Sequence, residues 1–351
     1  MTDGVPVRRP SEPATGRFAA ESRREQRDVA RGGWARRGRK RFRYVNSRGA
    51  EIRDDDQLER IAALAIPPAW TDVWISPSPR ARLQATGIDA AGRKQYLYHE
   101  SYRAAQEREK YRRLLTFAKS LPGLRRRLRR HLELDPYERE WTCAIATSVI
   151  NKAWFRVGSE RHRSSRTYGV TTLRKKHVSV SGDEIAFCFR AKNRKLVRRT
   201  IVNSTLADGV QALLELPNGS RLFRFERDAD IVVLTSQLLN DYLGENLGEE
   251  FTAKDFRTWG GTLLAAGELA RRGPAEGETE AKRTLAAVMR RVGDELGNTP
   301  AVARTSYVSP VVVEHYLAGR TLDDFRRGNG RRRNELTVDE DALVRLLGAP
   351  V

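Results

Sequence analysis

Residues 177–203, HVSVSGDEIAFCFRAKNRKLVRRTIVN, decide the fold of this chain. Polar and apolar side chains alternate in His177-Val178-Ser179-Val180 and again through Ile185, Phe187 and Phe189, the two-residue period of a strand with one buried face. Residues 196–203 return after the basic turn Ala191-Lys192-Asn193-Arg194-Lys195, so the region reads as a three-stranded antiparallel sheet over 168–180, 184–190 and 196–203. On either side the period becomes helical. Upstream, Trp141, Ile145 and Val149 recur every four residues over about 139–155. Downstream, helices are expected near 206–216, 234–245, 253–272, 278–296, 300–307 and 309–318. The sheet thus belongs to a mainly helical domain, and the fold class is α+β.

Further out, residues 100–135 predict a long basic helix closed by RRRLRRH, placed to link domains or to contact a phosphate backbone. Between Arg41 and Tyr111, short runs such as Phe42-Arg43-Tyr44-Val45 and Gln95-Tyr96-Leu97-Tyr98, with the turn Asp89-Ala90-Ala91-Gly92, give a small β-rich domain. Pro67-Pro68, Trp70, Trp74, Arg93 and Lys94 mix aromatic and basic side chains there, suited to stacking on bases or sugars while cations hold phosphates. The competing reading places both tryptophans in the core. Residues 1–50 carry 14 Lys or Arg against 5 Asp or Glu, with few apolar positions. The expected plan is a basic disordered arm over 1–40, a β-rich domain over 41–115, a larger domain over 116–325, and a tail over 326–351 with a short helix.

The 351 residues include 65 Lys and Arg against 45 Asp and Glu, a net charge of +20. That balance calls for an extended polyanion as partner, and nucleic acid is the commonest. An anionic membrane is disfavoured, because no helix segregates a basic face from an apolar one and no apolar run approaches the ~20 residues of a spanning segment. The opening MTDGVPVRRPSEPATGRF holds no apolar leader, so the expected compartment is the cytoplasm. Cys143 and Cys188, on a helix and a strand, read as reduced core residues rather than as a disulfide or zinc ligands.

Opening a phosphodiester takes a nucleophile, a proton donor for the departing oxygen, and cations matched to the charge on phosphorus. Tyr307, in LGNTPAVARTSYVSP (296–310), stands roughly two turns after a helix start at Thr299-Pro300. Arg156 follows a helix end, with Gly158 permitting a turn; an arginine there ordinarily satisfies helix carbonyls. Lys192 sits at the tip of the hairpin, where Arg194 and Lys195 are equally placed by spacing. Arg257, in AKDFRTWGG, has a salt bridge to Asp255 or Glu268 as its ordinary role. Asn298 either joins the Thr299 cap or aims its amide at a phosphate oxygen beside a positive helix end.

Together FRVGSERHRSSRTYGVTTLRKKHV, FRAKNRK, KDFRTW and LGNTPAVARTSYVSP resemble, over about residues 40–325, the type IB DNA topoisomerases, in particular their compact bacterial and poxvirus branch. The resemblance implies Tyr307 as nucleophile, Arg156 and Arg257 as catalytic arginines, Lys192 as general acid, and Asn298 where many members have histidine. It leaves His99, His131, His162, His177 and His315 with structural or DNA-surface roles. In RLQATGIDAAGRKQYLYH it puts Gln95 and Tyr96 on DNA, with Arg93 and Lys94 beside them. The domain over 41–115 thereby takes its expected part in DNA binding, and that over 116–325 its expected part in catalysis. It further implies a C-shaped clamp acting as a monomer on double-stranded DNA at the nucleoid. Such a clamp relaxes supercoils through a 3′-phosphotyrosyl intermediate, with no ATP, metal or other cofactor. The sequence carries no GxxxxGK[ST] loop and no DxD-type cluster near these motifs.

Two rivals remain. A tyrosine recombinase uses a similar residue set, but such enzymes generally have histidine three residues before the second arginine, where this chain has Lys254, and lack the N-terminal match. A non-enzymatic basic DNA-binding protein satisfies the charge and has no need of Tyr307.

Overall fold

The computed structural model describes residues 25–30, 32–38, 41–158, 160, 166–228, 230–327 and 335–351. The chain divides into two compact units, Met1–Glu109 and Lys110–Val351.

The first unit is built on a five-stranded antiparallel sheet of order β2-β1-β3-β4-β5: β1 (Trp34–Arg37), β2 (Arg43–Val45), β3 (Thr71–Ile75), β4 (Leu83–Ile88) and β5 (Lys94–Tyr98). Strand β1 corrects the expected disorder through residue 40. Trp34 opposes Ile75 and is buried with Ala85 and with Ile61 of α1 (Asp55–Ala63), so the core of this unit needs the segment. Residues 1–24, 31, 39 and 40 of the arm lie outside the described residues. Trp70 packs on this core and is seated against Gly87, where a Cβ would stand 2.7 Å from its ring. Arg36 fixes the Pro67-Pro68 step by donating to the Pro67 carbonyl at 3.1 Å and to that of Trp70 at 2.6 Å.

The long helix α2 (Glu100–His131) contains the boundary and gives the second unit a buried stripe from Tyr111 to Leu128. At the centre lies α3 (Arg139–Ala153), buried all round from Trp141 to Ile150. The four-residue period of its large side chains understated this burial. Ala144, Ala146 and Ser148 close the other faces, letting α4 (Ser204–Glu215), α5 (Ser236–Leu247) and α6 (Ala253–Arg272) pack around it.

The three-stranded sheet has β6 (Val178–Ser181), β7 (Glu184–Arg190) and β8 (Leu196–Val202) in sequence order, with Phe187 facing Val178 on one side and Arg199 on the other. Its first strand is shorter than expected, because residues 170–172 and 175–177 wind into 3-10 turns. Cys143 is buried, whereas Cys188 points outward from β7 between buried Phe187 and Phe189, correcting its placement in the core. A further hairpin, β9 (Arg224–Arg227) and β10 (Asp230–Val233), was not anticipated.

Helices α7 (Glu278–Leu296), α8 (Pro300–Ser306) and α9 (Pro310–Leu317) follow, and the tail forms α10 (Val338–Gly348), packed on α6 and α9. Glu340 of α10 receives both arms of Arg125, at 2.7 and 2.8 Å, and the indole N–H of Trp259 at 3.3 Å. Among the described residues no helix is long and apolar enough to cross a membrane.

Candidate active site

Two helices of the second unit end in left-handed residues. Trp154 closes α3 with φ 54°, and Gly297 closes α7 with φ 64°. Soon after each comes a polar side chain of interest, Arg156 and Asn298. Helix ends leave carbonyls without intrahelical partners, and here one guanidinium takes both. Arg257 donates through Nη2 to the Leu296 carbonyl at 2.6 Å and through Nη1 to that of Trp154. The negative ends of two helix dipoles favour a cation at this point.

Arg257 is 5% exposed. Its helix begins with a capping box in which Thr252 and Asp255 bond reciprocally. Asp255 also pairs with Arg113 at 2.8 Å, and Glu268 pairs with Arg271, Arg272 and Arg291, so other residues take the salt bridges expected for Arg257. The indole of Trp154 lies on Gly260, where a Cβ would come within 2.3 Å of the ring. Burial first, then neighbouring Arg156, pull the Arg257 guanidinium down to about 10 against the opposing effect of Tyr307, so it stays cationic at neutral pH.

Arg156 donates through Nη2 to Asn298 Oδ1 at 2.6 Å. Its own carbonyl accepts from Val170 N at 2.9 Å, and the chain then turns at Gly158, φ 95°. Asn298 is held by its backbone N–H to Gly293 O at 2.7 Å, and its side-chain amide donates one of two hydrogens to Leu296 O at 3.3 Å. Asn298 therefore belongs to the Arg156 pair, while the cap of α8 falls to Thr299, which accepts from Val302 N at 3.3 Å, with Pro300 in the first turn.

Helix α8 delivers Tyr307 at its C-terminal end, 6% exposed, with the guanidinium carbon of Arg257 5.1 Å from the ring centre. Burial alone would push the phenol up. Arg257, then Arg156, with Lys254 behind them, outweigh it and hold the phenol below its ordinary value. A buried phenol poised to ionise among fixed cations is suited to nucleophilic attack on an anionic centre.

Beside these groups opens a cleft of about 250 Å³ lined in part by Arg156, Tyr168, Lys195, Arg257, Asp294 and Leu296. The structure gathers Tyr307, Arg257, Arg156 and Asn298. Lys192 is exposed at the hairpin tip, where Asn193 and Arg194 adopt φ 60° and 59°. Of the three basic residues that spacing left equivalent, Lys195 reaches the cleft, its ammonium 3.2 Å from Asp294.

In the first unit, Arg93, Lys94, Gln95 and Tyr96 gather at the β4–β5 turn. Asp89 accepts from Gln95 Nε2 at 2.8 Å and pairs with Arg93 at 2.7 Å, and the Arg93 hydrogen bond holds its carboxyl at about 2. Lys94 lies over the Tyr96 ring at 5.8 Å, and that ring stacks on Tyr98 at 6.2 Å. The Tyr98 hydroxyl donates to buried Glu25.

Among the histidines, His131 bonds the Tyr242 hydroxyl at 2.7 Å, His177 packs on Tyr168 at 4.2 Å, and buried His315 bonds the Leu346 carbonyl at 3.1 Å. His99 bonds Ser101 at 2.7 Å, and His162 lies outside the described residues. Trp154 and Lys195 are parts of the site that sequence reading did not single out. For Lys195 the hairpin spacing was a signal. For Trp154, whose backbone carbonyl is the group that meets Arg257, side-chain pattern holds none.

Residues 99–317 match the family model described as eukaryotic DNA topoisomerase I, catalytic core, and residues 41–89 match that described as bacterial DNA topoisomerase IB, N-terminal domain. The chain is similar to DNA topoisomerase 1B of Acanthamoeba polyphaga mimivirus, 36% identical over 289 residues covering 80% of this chain and 85% of that protein. It is also similar to DNA topoisomerase I of Monkeypox virus, 20% identical over 277 residues covering 77% of this chain and 85% of that protein. With catalytic-core and N-terminal models both matched, the chain belongs to the type IB DNA topoisomerases.

Proposed function

We propose that this enzyme relaxes supercoiled duplex DNA by reversible transesterification at Tyr307. The Tyr307 phenol gives its proton to solvent and its oxygen forms a bond to a backbone phosphorus, giving a 3′-phosphotyrosyl link as the P–O bond to the 5′ oxygen breaks. That oxygen leaves with a proton from Lys192. Arg156, Arg257 and Asn298 supply donors to the non-bridging oxygens as charge builds on the pentacoordinate phosphorus. The freed end rotates, and the 5′ hydroxyl, returning its proton to Lys192, attacks phosphorus to restore the strand and release Tyr307 as a phenolate that regains its proton from solvent. One ester replaces another of similar energy, so the reading requires neither ATP nor a metal, and supercoiling strain supplies the direction.

The observation that carries this reading is the buried Tyr307 phenol beneath Arg257, held low by two guanidinium groups. Arg257 Nε is also buried without a geometric hydrogen-bond partner among the described residues, a donor that a phosphate oxygen would satisfy in this reading. We extend the proposal to a monomer that closes on one duplex as a clamp, with Arg93, Lys94, Gln95 and Tyr96 on DNA, at the nucleoid. The test is plasmid relaxation in EDTA without nucleotide, followed by denaturing electrophoresis and mapping of the residue joined to DNA. Failure to relax, or an adduct on another residue, would refute it.

Lys192 acts, in this reading, from an exposed tip that must approach the scissile bond when DNA binds. Lys192→Ala is expected to cleave ordinary DNA on the order of 10²–10⁴-fold more slowly, the usual contribution of a positioned acid. A 5′-bridging thiolate needs no protonation to leave and should restore the rate. Rescue absent in Lys192→Ala but present in Lys195→Ala would transfer the role to Lys195.

A further inference from the structure

We infer that Thr262 is a positioning residue for the nucleophile, its hydroxyl fixing the backbone of Tyr307 to the helix that carries Arg257. The inference rests on the reading of Tyr307 given above. Thr262 lies on α6 and has no exposed surface. Its Oγ1 donates to the Tyr307 carbonyl at 3.1 Å and accepts from Ser309 N at 3.2 Å, both within the buried interior. One hydroxyl thus grips the residues on either side of Val308, where the chain leaves α8 and has yet to enter α9.

Local hydrogen bonding does not do this. The N–H groups of Tyr307 and Val308 both turn back to Ala303 O, at 3.0 and 3.1 Å, which orients the end of α8 but leaves the Tyr307 carbonyl to Thr262. The adjacent Gly261 allows the approach: a Cβ there would stand 2.8 Å from the Tyr307 carbonyl oxygen and 3.0 Å from its Cβ. A single helix therefore presents Arg257 to the ring and Gly261-Thr262 to the backbone beneath it. The distance from phenol to guanidinium is set within one rigid element rather than across a loop.

The test compares wild type, Thr262→Val and Thr262→Ser as full-length proteins on a duplex nicked so that the leaving fragment escapes. Valine keeps the shape and removes the hydroxyl; serine keeps the hydroxyl. Thr262→Val should form the covalent adduct on the order of 10²-fold more slowly, the cost of about 1 Å of misplacement, with DNA affinity unchanged. Thr262→Ser should return to within about threefold of wild type. The pH limb of cleavage should move upward in Thr262→Val as the ring leaves Arg257, which mere loss of folded protein would not produce. If Thr262→Val does not fold, Gly261→Ala, which pushes on the same backbone, carries the same expectation. A Thr262→Val rate near wild type, a serine variant as slow as valine, or a stationary pH limb would each overturn the inference. Absence of any adduct with wild type would instead fell the parent reading.

Discussion

Tyr307→Phe protein is expected to bind duplex DNA with unchanged affinity and to form no covalent adduct, a loss of at least roughly 10⁴-fold in cleavage. The replacement removes one buried oxygen and leaves the ring against Arg257, so the fold and the cationic surface stay intact. In wild type, cleavage at fixed saturation should rise with pH through a limb below 10, the ordinary value of a tyrosine, because Arg257 and Arg156 overcome the effect of burial and favour the ionised phenol. Gel-shift titration beside a denaturing gel separates the two steps. An adduct formed by the phenylalanine variant, or a binding defect as large as the loss of cleavage, would remove Tyr307 from its role.

The second large effect falls on Arg257. Its guanidinium holds the terminal carbonyls of α3 and α7 and lies over the phenol, so substitution acts on scaffold and chemistry together. Arg257→Lys keeps a positive charge but cannot span both carbonyls. A buried carbonyl left without its donor costs about 1–3 kcal/mol, so the melting temperature should fall. Cleavage should fall by on the order of 10²–10³-fold, as for loss of one donor to a developing oxyanion. The wild-type pH limb should shift upward, since Arg257 is the strongest influence lowering the phenol. Single-turnover rates measured well below the new melting temperature keep the two losses apart. A lysine variant cleaving at the wild-type rate would show that the guanidinium is structural alone.

The legible parts of this molecule are those whose physics is local. Helices α6 and α7 have the bounds their sequence signals give, 253–272 and 278–296, because Thr252 caps one start and Gly273 and Gly297 close the two ends. The β6–β8 sheet was visible because Ile185, Phe187 and Phe189 alternate with exposed residues. Strand β1 was hidden, since Trp34-Ala-Arg-Arg has one large apolar residue and depends on Ile75 and Ala85, distant in sequence. The β9–β10 hairpin was masked by its charges. At the site, Tyr307, Arg257, Arg156 and Asn298 come together because each lies at or within a packed helix end. Lys192 stands exposed at a hairpin tip, where the side-chain pattern carries no packing signal to aim it. The carbonyls of Trp154 and Leu296, which organise Arg257, have no side-chain signature at all.

The two thiols offer an experimental handle. Burial pushes Cys143 up to about 12, beyond the reach of ordinary alkylation, whereas Cys188 stands open to solvent on β7, opposite Arg198 and just before the Lys192 turn. A maleimide dye would therefore mark the native protein at one place, on the strand that leads into the Lys192 turn. Its emission could report, in real time and without any engineered cysteine, how that hairpin responds when a duplex arrives.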